Sequence, residues 1–263
     1  MESCIKVVIS GACGRMGREI VKAVTDAEGM KVVGAVDVVL VGEDIGTVVG
    51  ISELGIKVES DLSFVLKRTG ADVLIDFTTA GICEKNLKEA IDNNVRFVTG
   101  TTNMDPKVLD DLISLANSKK LGGVWAANFA IGAVLMMKFS KLAAKYMPSC
   151  EIIELHHDKK IDAPSGTAKV TAQQIVEARQ SKPNLLDSTS KARGLVVDNV
   201  PIHSVRLSGY VASQEVLFGG QGQVLSIRHD SIGRDSFMPG IVLGVREAMQ
   251  SDHVIIGLES LLS

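Results

Sequence analysis

Aromatic side chains are scarce in this chain of 263 residues, where phenylalanine, tyrosine and tryptophan together account for 4%. Proteins that bind nucleic acids often stack bases on such side chains and carry basic surfaces. The formal net charge here is −3, so a basic balance is lacking as well. Hydrophobic runs are short, and none reaches the roughly 20 residues that cross a bilayer. The composition therefore disfavours a nucleic-acid partner and a membrane-spanning protein.

Cysteine is also rare, and its spacing gives no sign of a metal site. Cys4, Cys13, Cys83 and Cys150 form no Cys-x-x-Cys pair and no metal-ligand pattern. The opening MESCIKVVIS enters a strand pattern almost at once, without the basic segment and long apolar stretch of a secretory signal. We therefore expect no metal ion, reduced thiols and a cytoplasmic location.

The first half of the chain alternates short apolar runs with helical patterns. Hydrophobic residues make up 46% of the chain and charged residues 22%, which is ordinary for a globular protein with a core. The apolar runs are IKVVIS (5–10), KVVGAVD (31–37), ADVLIDF (71–77), VRFVTG (95–100) and GGVWAAN (122–128). The alternation predicts an α/β fold, a Rossmann-type doubly wound parallel sheet with helices on both faces.

The second half has a different pattern. EIIELHH (151–157) alternates apolar and polar residues, and a helical pattern follows at 167–179. Further strand patterns lie at 205–208, 215–220 and 223–230, and a last helical pattern covers 236–250. These features predict an α+β domain with a mixed or mostly antiparallel sheet, and a surface loop at 182–190.

A glycine-rich turn follows the first predicted strand and opens a helix. GACGRMG (11–17) has the spacing Gly-x-x-Gly-x-x-Gly. Glycines allow a tight turn, and the N–H groups at a helix start attract a pyrophosphate. Asp37 ends the second strand, where a carboxylate accepts hydrogen bonds from ribose hydroxyls. We expect a dinucleotide site; the alternative is a tight turn beside a solvated aspartate.

Asp37 also bears on the choice of nicotinamide cofactor, because a carboxylate there repels a 2′-phosphate. The residues that follow are Val38, Val39 and Leu40, whereas NADP-preferring sites place arginine nearby. Arg15, within the glycine-rich turn, is the one cation near in sequence. We therefore expect NADH to be favoured, with NADPH as the alternative.

Small hydroxyl residues follow two consecutive strands, in FTTAG (77–81) and GTTN (100–103). Ligands of open parallel sheets bind beyond the carboxyl ends of the strands. These segments would let the nicotinamide end of a cofactor pass close to the backbone. The alternative is that the threonines are ordinary helix N-caps.

The stretch ELHHDKKIDAPSGTA (154–168) combines imidazoles, ammonium groups and a helix start. His156 and His157 point to opposite faces if the strand includes both. Ser165-Gly166-Thr167 opens a helix, whose free N–H groups and partial positive charge attract anions. We expect a cup for a substrate with carboxylates, in which a lysine or histidine donates a proton. The alternative is a packed and a surface histidine beside a solvated turn.

The same stretch closely resembles the signature of the dihydrodipicolinate reductases, also called 4-hydroxy-tetrahydrodipicolinate reductases. The resemblance extends along the whole chain, through GACGRMG (11–17), FTT (77–79), GTT (100–102), AANFAIG (126–132) and SFMPG (236–240). It implies reduction of a cyclic dicarboxylate imine by NADH or NADPH, in the diaminopimelate route to lysine. It also implies a homotetramer formed through the sheet of the second domain.

The resemblance assigns roles to particular residues. It implies His156 as acid/base residue and Lys160 as proton donor. The expected substrate-binding residues are His157, Lys160, Ser165, Gly166 and Thr167. The expected cofactor-binding residues are Gly11, Ala12, Cys13, Gly14, Arg15, Met16, Asp37, Phe77, Gly100, Thr101, Thr102, Ala127, Asn128, Phe129 and Ala130.

We expect residues 1–127 and 237–263 to form the dinucleotide-binding domain and residues 128–236 to form the substrate-binding and oligomerisation domain. One departure from the family matters: members that use NADPH often carry arginine directly after the acidic residue, where this chain has Val38. Two alternatives stay open. One is another two-domain dehydrogenase acting on an amino-acid precursor, and the other is a nucleotide-binding sensor without chemistry.

Overall fold

The computed structural model describes residues 4–181 and 191–262, so the predicted loop at 182–190 lies outside the described residues. The chain divides into two compact units. The first unit comprises Met1–Phe129 and Phe237–Ser263, and the second comprises Ala130–Ser236. That the first binds a dinucleotide and the second a substrate stays a prediction at this point.

The regular elements alternate in the first unit and cluster in the second. The strands are β1 (Ile5–Ser10), β2 (Met30–Val36), β3 (Val58–Glu59), β4 (Val73–Asp76), β5 (Arg96–Thr99), β6 (Gly123–Trp125), β7 (Ser149–His156), β8 (Leu195–Val197), β9 (Val200–Arg206), β10 (Ala212–Gly220), β11 (Gln223–Ser231) and β12 (Val254–Ile256). The helices are α1 (Arg15–Asp26), α2 (Ile45–Val49), α3 (Leu62–Thr69), α4 (Ala80–Asp92), α5 (Pro106–Ser118), α6 (Ile131–Ala144), α7 (Gly166–Ala178) and α8 (Met238–Gln250). Short 3₁₀ turns cover Lys191–Arg193, Arg234–Phe237 and Glu259–Leu261.

The first unit is built on a parallel sheet with the strand order β12-β6-β5-β4-β1-β2-β3 among the described residues. Every strand pair of this sheet is parallel. All four residues of β4 are buried, as expected for a central strand covered on both faces. One hydrophobic cluster joins β4 to α3, and a second packs α4 and α5 near β5. The predicted Rossmann-type sheet is therefore confirmed.

Helix α1 packs its apolar face, which includes Ile20, Val21 and Val24, into the first unit. Its start lies close against the preceding turn. A Cβ atom built on Gly17 would lie 2.0 Å from the carbonyl oxygen of Gly11. Only glycine therefore allows the helix to begin this near to the end of β1.

The second unit contains a mixed sheet with the order β11-β10-β7-β9-β8. Strands β7 and β9 are parallel, and the other pairs are antiparallel. Helices α6 and α7 contribute to the hydrophobic core on one face of this sheet. This arrangement confirms the predicted α+β unit with a mixed sheet.

Several elements depart from the sequence-based expectations. Helix α6 was not predicted, because its mostly apolar sequence lacks a clear polar face and lies at the expected domain break. The short strands β8 and β12 have three residues each, too few to give a recognisable alternation. The strand expected at 205–208 is wrong in its bounds, since β9 begins at Val200 and ends at Arg206; Pro201 obscured its start.

None of the helices within residues 4–181 and 191–262 is long and apolar enough to span a membrane.

The packing of Gly17 can be tested by substitution. Gly17→Ala forces a methyl group against backbone, so we expect a loss of about 1–3 kcal/mol in the free energy of unfolding. Gly81→Ala is the matched control, because a Cβ on this helical glycine meets nothing within 4 Å. Urea denaturation should leave Gly81→Ala at or above wild-type stability. Equal stability of both variants would contradict the close contact.

Candidate active site

The glycine-rich turn is closed by backbone hydrogen bonds at the end of β1. Gly11 has φ +75°, a left-handed conformation that favours glycine. Its N–H donates to the carbonyl of Val36 at 2.9 Å, and the N–H of Gly14 donates to the carbonyl of Gly11 at 3.0 Å. The turn is therefore fixed against β2 and presents the start of α1.

The N-terminus of α1 has the properties of an anion site. Gly14 occupies the N-cap position, and no side chain of the described residues caps the helix there. Gly14 and Arg15 are exposed, while Met16 is half-buried. Uncapped N–H groups in the first turn, together with the helix dipole, favour a phosphate group.

Asp37 links the turn to the end of β2. Its Oδ2 accepts a hydrogen bond from the N–H of Cys13 at 2.9 Å. Its Oδ1 accepts from the N–H groups of Val38 at 2.7 Å and Val39 at 3.2 Å. The carboxylate is thus held in place by three backbone donors, beside Val38, whose side chain is 85% exposed.

Cys13 lies in the turn but is not suited to nucleophilic chemistry. The residue is buried, and its Sγ donates to the carbonyl of Val39 at 3.6 Å. Burial and the nearby Asp37 carboxylate raise the pKa of this thiol. The thiol therefore stays protonated near neutral pH, and its neutral side chain fills space beneath the turn.

A fully buried carboxylate, Asp76, organises the loop after β4. Its Oδ1 accepts from the hydroxyl of Thr78 at 2.7 Å and from the Thr78 N–H at 3.1 Å. Its Oδ2 accepts from Nδ2 of Asn86 at 2.7 Å, and that same amide donates to Oγ of Ser10 at 2.9 Å. Asp76 thereby ties the loop at 77–79 to α4 and to the end of β1.

Phe77, Gly100 and Phe129 pack together. A Cβ on Gly100 would lie 2.5 Å from Cε1 of Phe77 and 3.2 Å from Cε2 of Phe129. The two phenylalanine rings lie 5.6 Å apart between centroids. Gly100 is therefore required for ring packing, and the Phe129 side chain is buried in the first unit.

The threonines at the strand ends divide into internal and exposed groups. Thr101 is buried, and its hydroxyl donates to the carbonyl of Thr78 at 3.4 Å. Thr79 and Thr102 are exposed. Thr79 is the N-cap of α4, but its side chain makes no capping bond within the described part of the chain. The N-cap of α5 is Asp105, so the capping alternative for 100–103 is wrong.

The segment 127–130 connects the two units. Ala127 is exposed and Asn128 is half-buried, whereas Phe129 and Ala130 are buried. Ala130 belongs to the second unit, where it is the N-cap of α6. Because the Phe129 side chain is buried, any contact of this residue with a cofactor would have to be made by its backbone.

Strand β7 carries core residues and polar residues on one face. Cys150 and Ile152 belong to the hydrophobic core of the second unit. Residues two apart in a strand share a face, so Glu154 and His156 continue the same row. The strand ends at His156, so the exposed His157 lies beyond it.

Glu154, His156 and Arg206 form a hydrogen-bonded cluster at this end of the sheet. Glu154 is 0% exposed, and its Oε2 lies 2.5 Å from Nδ1 of His156. Arg206 donates from Nη1 to Oε2 at 2.9 Å and from Nη2 to Oε1 at 2.8 Å. Burial alone would raise the pKa of Glu154, but hydrogen bonds from His156, Arg206 and Ser204 outweigh it and lower the pKa to about 2. Glu154 is therefore ionised at neutral pH.

The loop after β7 places Lys160 next to Asp162. The ammonium Nζ of Lys160 donates to Oδ1 of Asp162 at 2.7 Å, and this bond lowers the pKa of the Asp162 carboxyl. The N–H of Lys160 donates to the carbonyl of His157 at 3.1 Å. Lys159 is exposed.

The N-terminus of α7 leaves space for a ligand. Ser165 is the buried N-cap, and its Oγ accepts from the N–H of Ala168 at 3.2 Å. Gly166 follows and is exposed; a Cβ there would meet nothing within 4 Å. No neighbouring atom among the described residues therefore requires a glycine here. The small size of Gly166 leaves room for a ligand beside the N–H groups of Gly166 and Thr167.

Sequence reasoning missed three residues that hold these sites together, namely Asp76, Glu154 and Arg206. A signal for Glu154 was present, because a carboxylate stands at the core-facing register of a strand, two residues after Ile152. Arg206 is paired in register with His156 across the β7–β9 ladder, which sequence alone does not reveal.

Groups of three or more histidine, cysteine, aspartate or glutamate residues able to hold a metal ion are absent from the described residues.

A Rossmann-type unit with an uncapped helix start, together with a unit carrying a histidine–carboxylate pair, is typical of a nicotinamide-dependent oxidoreductase. Family models agree with this class. The model described as "Dihydrodipicolinate reductase, N-terminus" matches residues 5–129, and "Dihydrodipicolinate reductase, C-terminus" matches residues 132–262. The chain therefore belongs to the dihydrodipicolinate reductase family, which confirms the resemblance inferred from residues 154–168.

Similar proteins cover nearly the whole chain. A 4-hydroxy-tetrahydrodipicolinate reductase of Desulfitobacterium hafniense is 48% identical, over 98% of this chain and 98% of its own. One from Moorella thermoacetica is 44% identical, over 100% and 99%. The solved dipicolinate-bound dihydrodipicolinate reductase of Paenisporosarcina sp. TG-14 is 42% identical over 98% and 99%, with a TM-score of 0.85. An amine dehydrogenase of Mycobacterium smegmatis, 15% identical over 98% and 96% with a TM-score of 0.66, shares the fold.

The role of Asp76 can be tested by stability. Asp76→Ala leaves the half-buried donors of Thr78 and Asn86 without their acceptor, so we expect a loss of about 3 kcal/mol in the free energy of unfolding. Asp61→Ala is the control, because Asp61 accepts one exposed capping bond from Phe64, worth about 1 kcal/mol. Chemical denaturation compares the two. A loss for Asp76→Ala no larger than the control's would contradict the organising role.

Proposed function

We propose that the chain reduces 4-hydroxy-tetrahydrodipicolinate to tetrahydrodipicolinate with a nicotinamide cofactor, in the diaminopimelate route to lysine. The relatives named for this activity match over almost the whole chain. The observation that carries the proposal is the row on β7, where buried Glu154 holds His156 just before the lysine-bearing loop and the start of α7. This combination suits a substrate with two carboxylates and a site for proton transfer.

The residues of the first unit fit a nicotinamide dinucleotide. The N–H groups of Arg15 and Met16 at the uncapped start of α1 would hold the pyrophosphate, and Asp37 would accept from the ribose hydroxyls. The loops at 77–79 and 100–102 and the segment 127–130 would line the nicotinamide end. A Cβ at Gly17 would clash with the turn, so the turn packs tightly against α1. This close packing supports a preformed binding site for the pyrophosphate.

The chemistry of the second unit follows from charge. Loss of the 4-hydroxyl group as water gives the substrate ring a C=C bond conjugated with its imine. When bound, the nicotinamide cofactor would supply a hydride to the far carbon of that C=C bond. The electron pair displaced through the ring leaves negative charge, which His156 and Lys160 stabilise. One of these two residues then supplies the proton. His157, Ser165, Gly166 and Thr167 would hold the carboxylates, with the N–H groups at the start of α7 as donors.

We propose that NADH is favoured over NADPH. The Asp37 carboxylate is fixed by three backbone N–H groups, so it is not free to turn away from a 2′-phosphate. The residues that follow, from Val38 to Val41, are exposed and apolar and offer no cation. A 2′-phosphate would therefore meet a negative charge without compensation from these neighbours.

The proposal also includes the oligomeric state and the location of the protein. A homotetramer is implied by the family resemblance, and exposed Val224 and Leu225 on the edge strand β11 are consistent with a covered surface. A cytoplasmic location is supported by the four free cysteines, Cys4, Cys13, Cys83 and Cys150.

Turnover tests the function directly. The substrate is made in place from aspartate semialdehyde and pyruvate by the preceding synthase, and cofactor oxidation is followed by absorbance. We expect turnover with NADH at a higher kcat/KM than with NADPH. Cofactor binding without turnover would contradict the proposed reaction and favour a nucleotide-binding sensor.

Cofactor preference gives a second test. Val38→Arg places a cation beside the ribose site, so we expect the ratio of kcat/KM for NADPH to that for NADH to rise about tenfold or more. Val38→Gln is the control, since it adds length and polarity without charge and should leave the ratio nearly unchanged. An unaltered ratio in Val38→Arg would mean that the ribose 2′-hydroxyl of the cofactor does not lie beside Asp37 and Val38.

The substrate seat gives a third test. Gly166→Ala meets no protein atom within 4 Å, so we expect unchanged stability, but its methyl group would occupy ligand space and weaken dipicolinate binding by about tenfold to a hundredfold. Gln173→Ala, further along α7, is the control with normal binding expected. Calorimetric titration measures both. Normal affinity in Gly166→Ala would remove this helix start from the substrate site.

A further inference from the structure

Glu154 occupies a position that normally belongs to the core. It lies on the same face of β7 as Ile152 and is 0% exposed. Burying a carboxylate is costly unless it is paired with a cation and fully hydrogen-bonded. The chain retains the charge at this place and provides Arg206 to balance it, which points to a use for the charge beyond packing.

Arg206 fixes the orientation of Glu154 from the neighbouring strand. Its two terminal nitrogens each donate to a different carboxylate oxygen, at 2.9 and 2.8 Å. The same nitrogens donate to the carbonyls of Val205 at 2.8 Å and Asp162 at 2.7 Å. The guanidinium therefore anchors the carboxylate and ties it to the loop that carries Lys160.

The ionised Glu154 determines which nitrogen of His156 carries a proton. A carboxylate without its proton can only accept hydrogen bonds. Since Oε2 lies 2.5 Å from Nδ1, that nitrogen must be the donor, in the neutral ring as in the charged ring. Within residues 4–181 and 191–262, no hydrogen bond to Nε2 of His156 is present, so Nε2 is the nitrogen left for proton exchange.

We infer that Glu154, clamped by Arg206, is a positioning residue that holds the proton of His156 on Nδ1 and so makes Nε2 the atom that exchanges a proton with the substrate. This inference rests on the proposed function, in which His156 acts on the reduced ring. Glu154 itself touches no substrate atom in this role. It acts through the tautomer and the ring orientation of His156.

The proton transfer balances within this arrangement. After hydride addition, the N–H bond at Nε2 of the imidazolium breaks and a C–H bond forms at the adjacent ring carbon of the substrate. The N–H electron pair stays on Nε2, and the negative charge of the substrate is neutralised. Nδ1 keeps its proton, donated to Glu154 throughout, and solvent later returns a proton to Nε2.

Steady-state kinetics of Glu154→Gln provide the first test. The amide can turn its NH₂ group toward Nδ1 and favour the other tautomer. We expect kcat to fall by about 10- to 100-fold, while KM for the substrate and the dissociation constant of NADH change little. Glu154→Asp keeps the charge but at a greater distance from His156, so its kcat should lie between those of the wild type and Glu154→Gln. This variant provides the test if Glu154→Gln does not fold.

A matched control exists on the same strand. Glu151 also pairs with a histidine, since its Oε2 lies 2.8 Å from Nε2 of His203. Glu151→Gln removes a glutamate–histidine pair that is partly exposed and lies outside the proposed site. Near wild-type kcat in this control, beside a loss in Glu154→Gln, supports the inference; equal losses in both would overturn it.

A spectroscopic measurement separates positioning from a merely structural role. With ¹⁵N-labelled histidine, and with the His156 signals identified from the His156→Gln variant, we expect a protonated Nδ1 and an unprotonated Nε2 in the neutral ring of the wild type. Glu154→Gln should shift this population toward the other tautomer. An unprotonated Nδ1 in the wild type would overturn the inference whatever the activity.

Combined substitutions complete the test. In the His156→Gln background, adding Glu154→Gln should reduce kcat no further, because Glu154 acts through His156. Losses that multiply would show an independent, structural role and overturn the inference.

The inference and the proposed function fail in different ways. Normal turnover of the wild type with no loss in Glu154→Gln would contradict only this inference. A wild type without turnover would contradict the proposed function.

Discussion

The negative charge of Glu154, buried at the end of a core-facing row of side chains, is the constraint on which the polar end of the second unit depends. Without Arg206 and His156 the carboxylate would be an uncompensated charge inside the protein, so the three side chains can be stable only together. Arg206 also donates to the carbonyl of Asp162, so the same guanidinium holds the loop after β7 in place. The charge therefore shapes the loop and the histidine at once.

In the first unit, too, carboxylates at strand ends hold neighbouring segments through hydrogen bonds. Asp76 is buried at the end of β4 and accepts hydrogen bonds from Thr78 and Asn86, so a buried carboxylate fixes the loop at 77–79. Asp37 holds the glycine-rich turn through the N–H of Cys13. In both units, carboxylates at or near strand ends order the segments proposed to contact ligands, while the exposed helix starts are left uncovered for anions.

Much of this organisation is visible in the sequence, and the remainder depends on contacts between distant residues. The apolar run of β4 and the glycine-rich turn have local patterns, so the Rossmann-type unit could be predicted. Helix α6 could not, because its sequence is apolar on most sides and resembles no amphipathic helix. The partnership of Glu154 with Arg206 joins residues 52 apart, and it depends on the register of two strands that sequence does not give.

A crystal structure of the chain with NADH and dipicolinate would test most directly whether these two helix starts are the ligand sites. We expect the pyrophosphate on the N–H groups of Arg15 and Met16 at the start of α1, since those of Cys13 and Gly14 already donate within the turn. We expect one carboxylate of dipicolinate on the N–H groups of Gly166 and Thr167, with His156 still bound to Glu154 through Nδ1. A dipicolinate bound away from α7, or a pyrophosphate away from α1, would contradict the assignment of these sites.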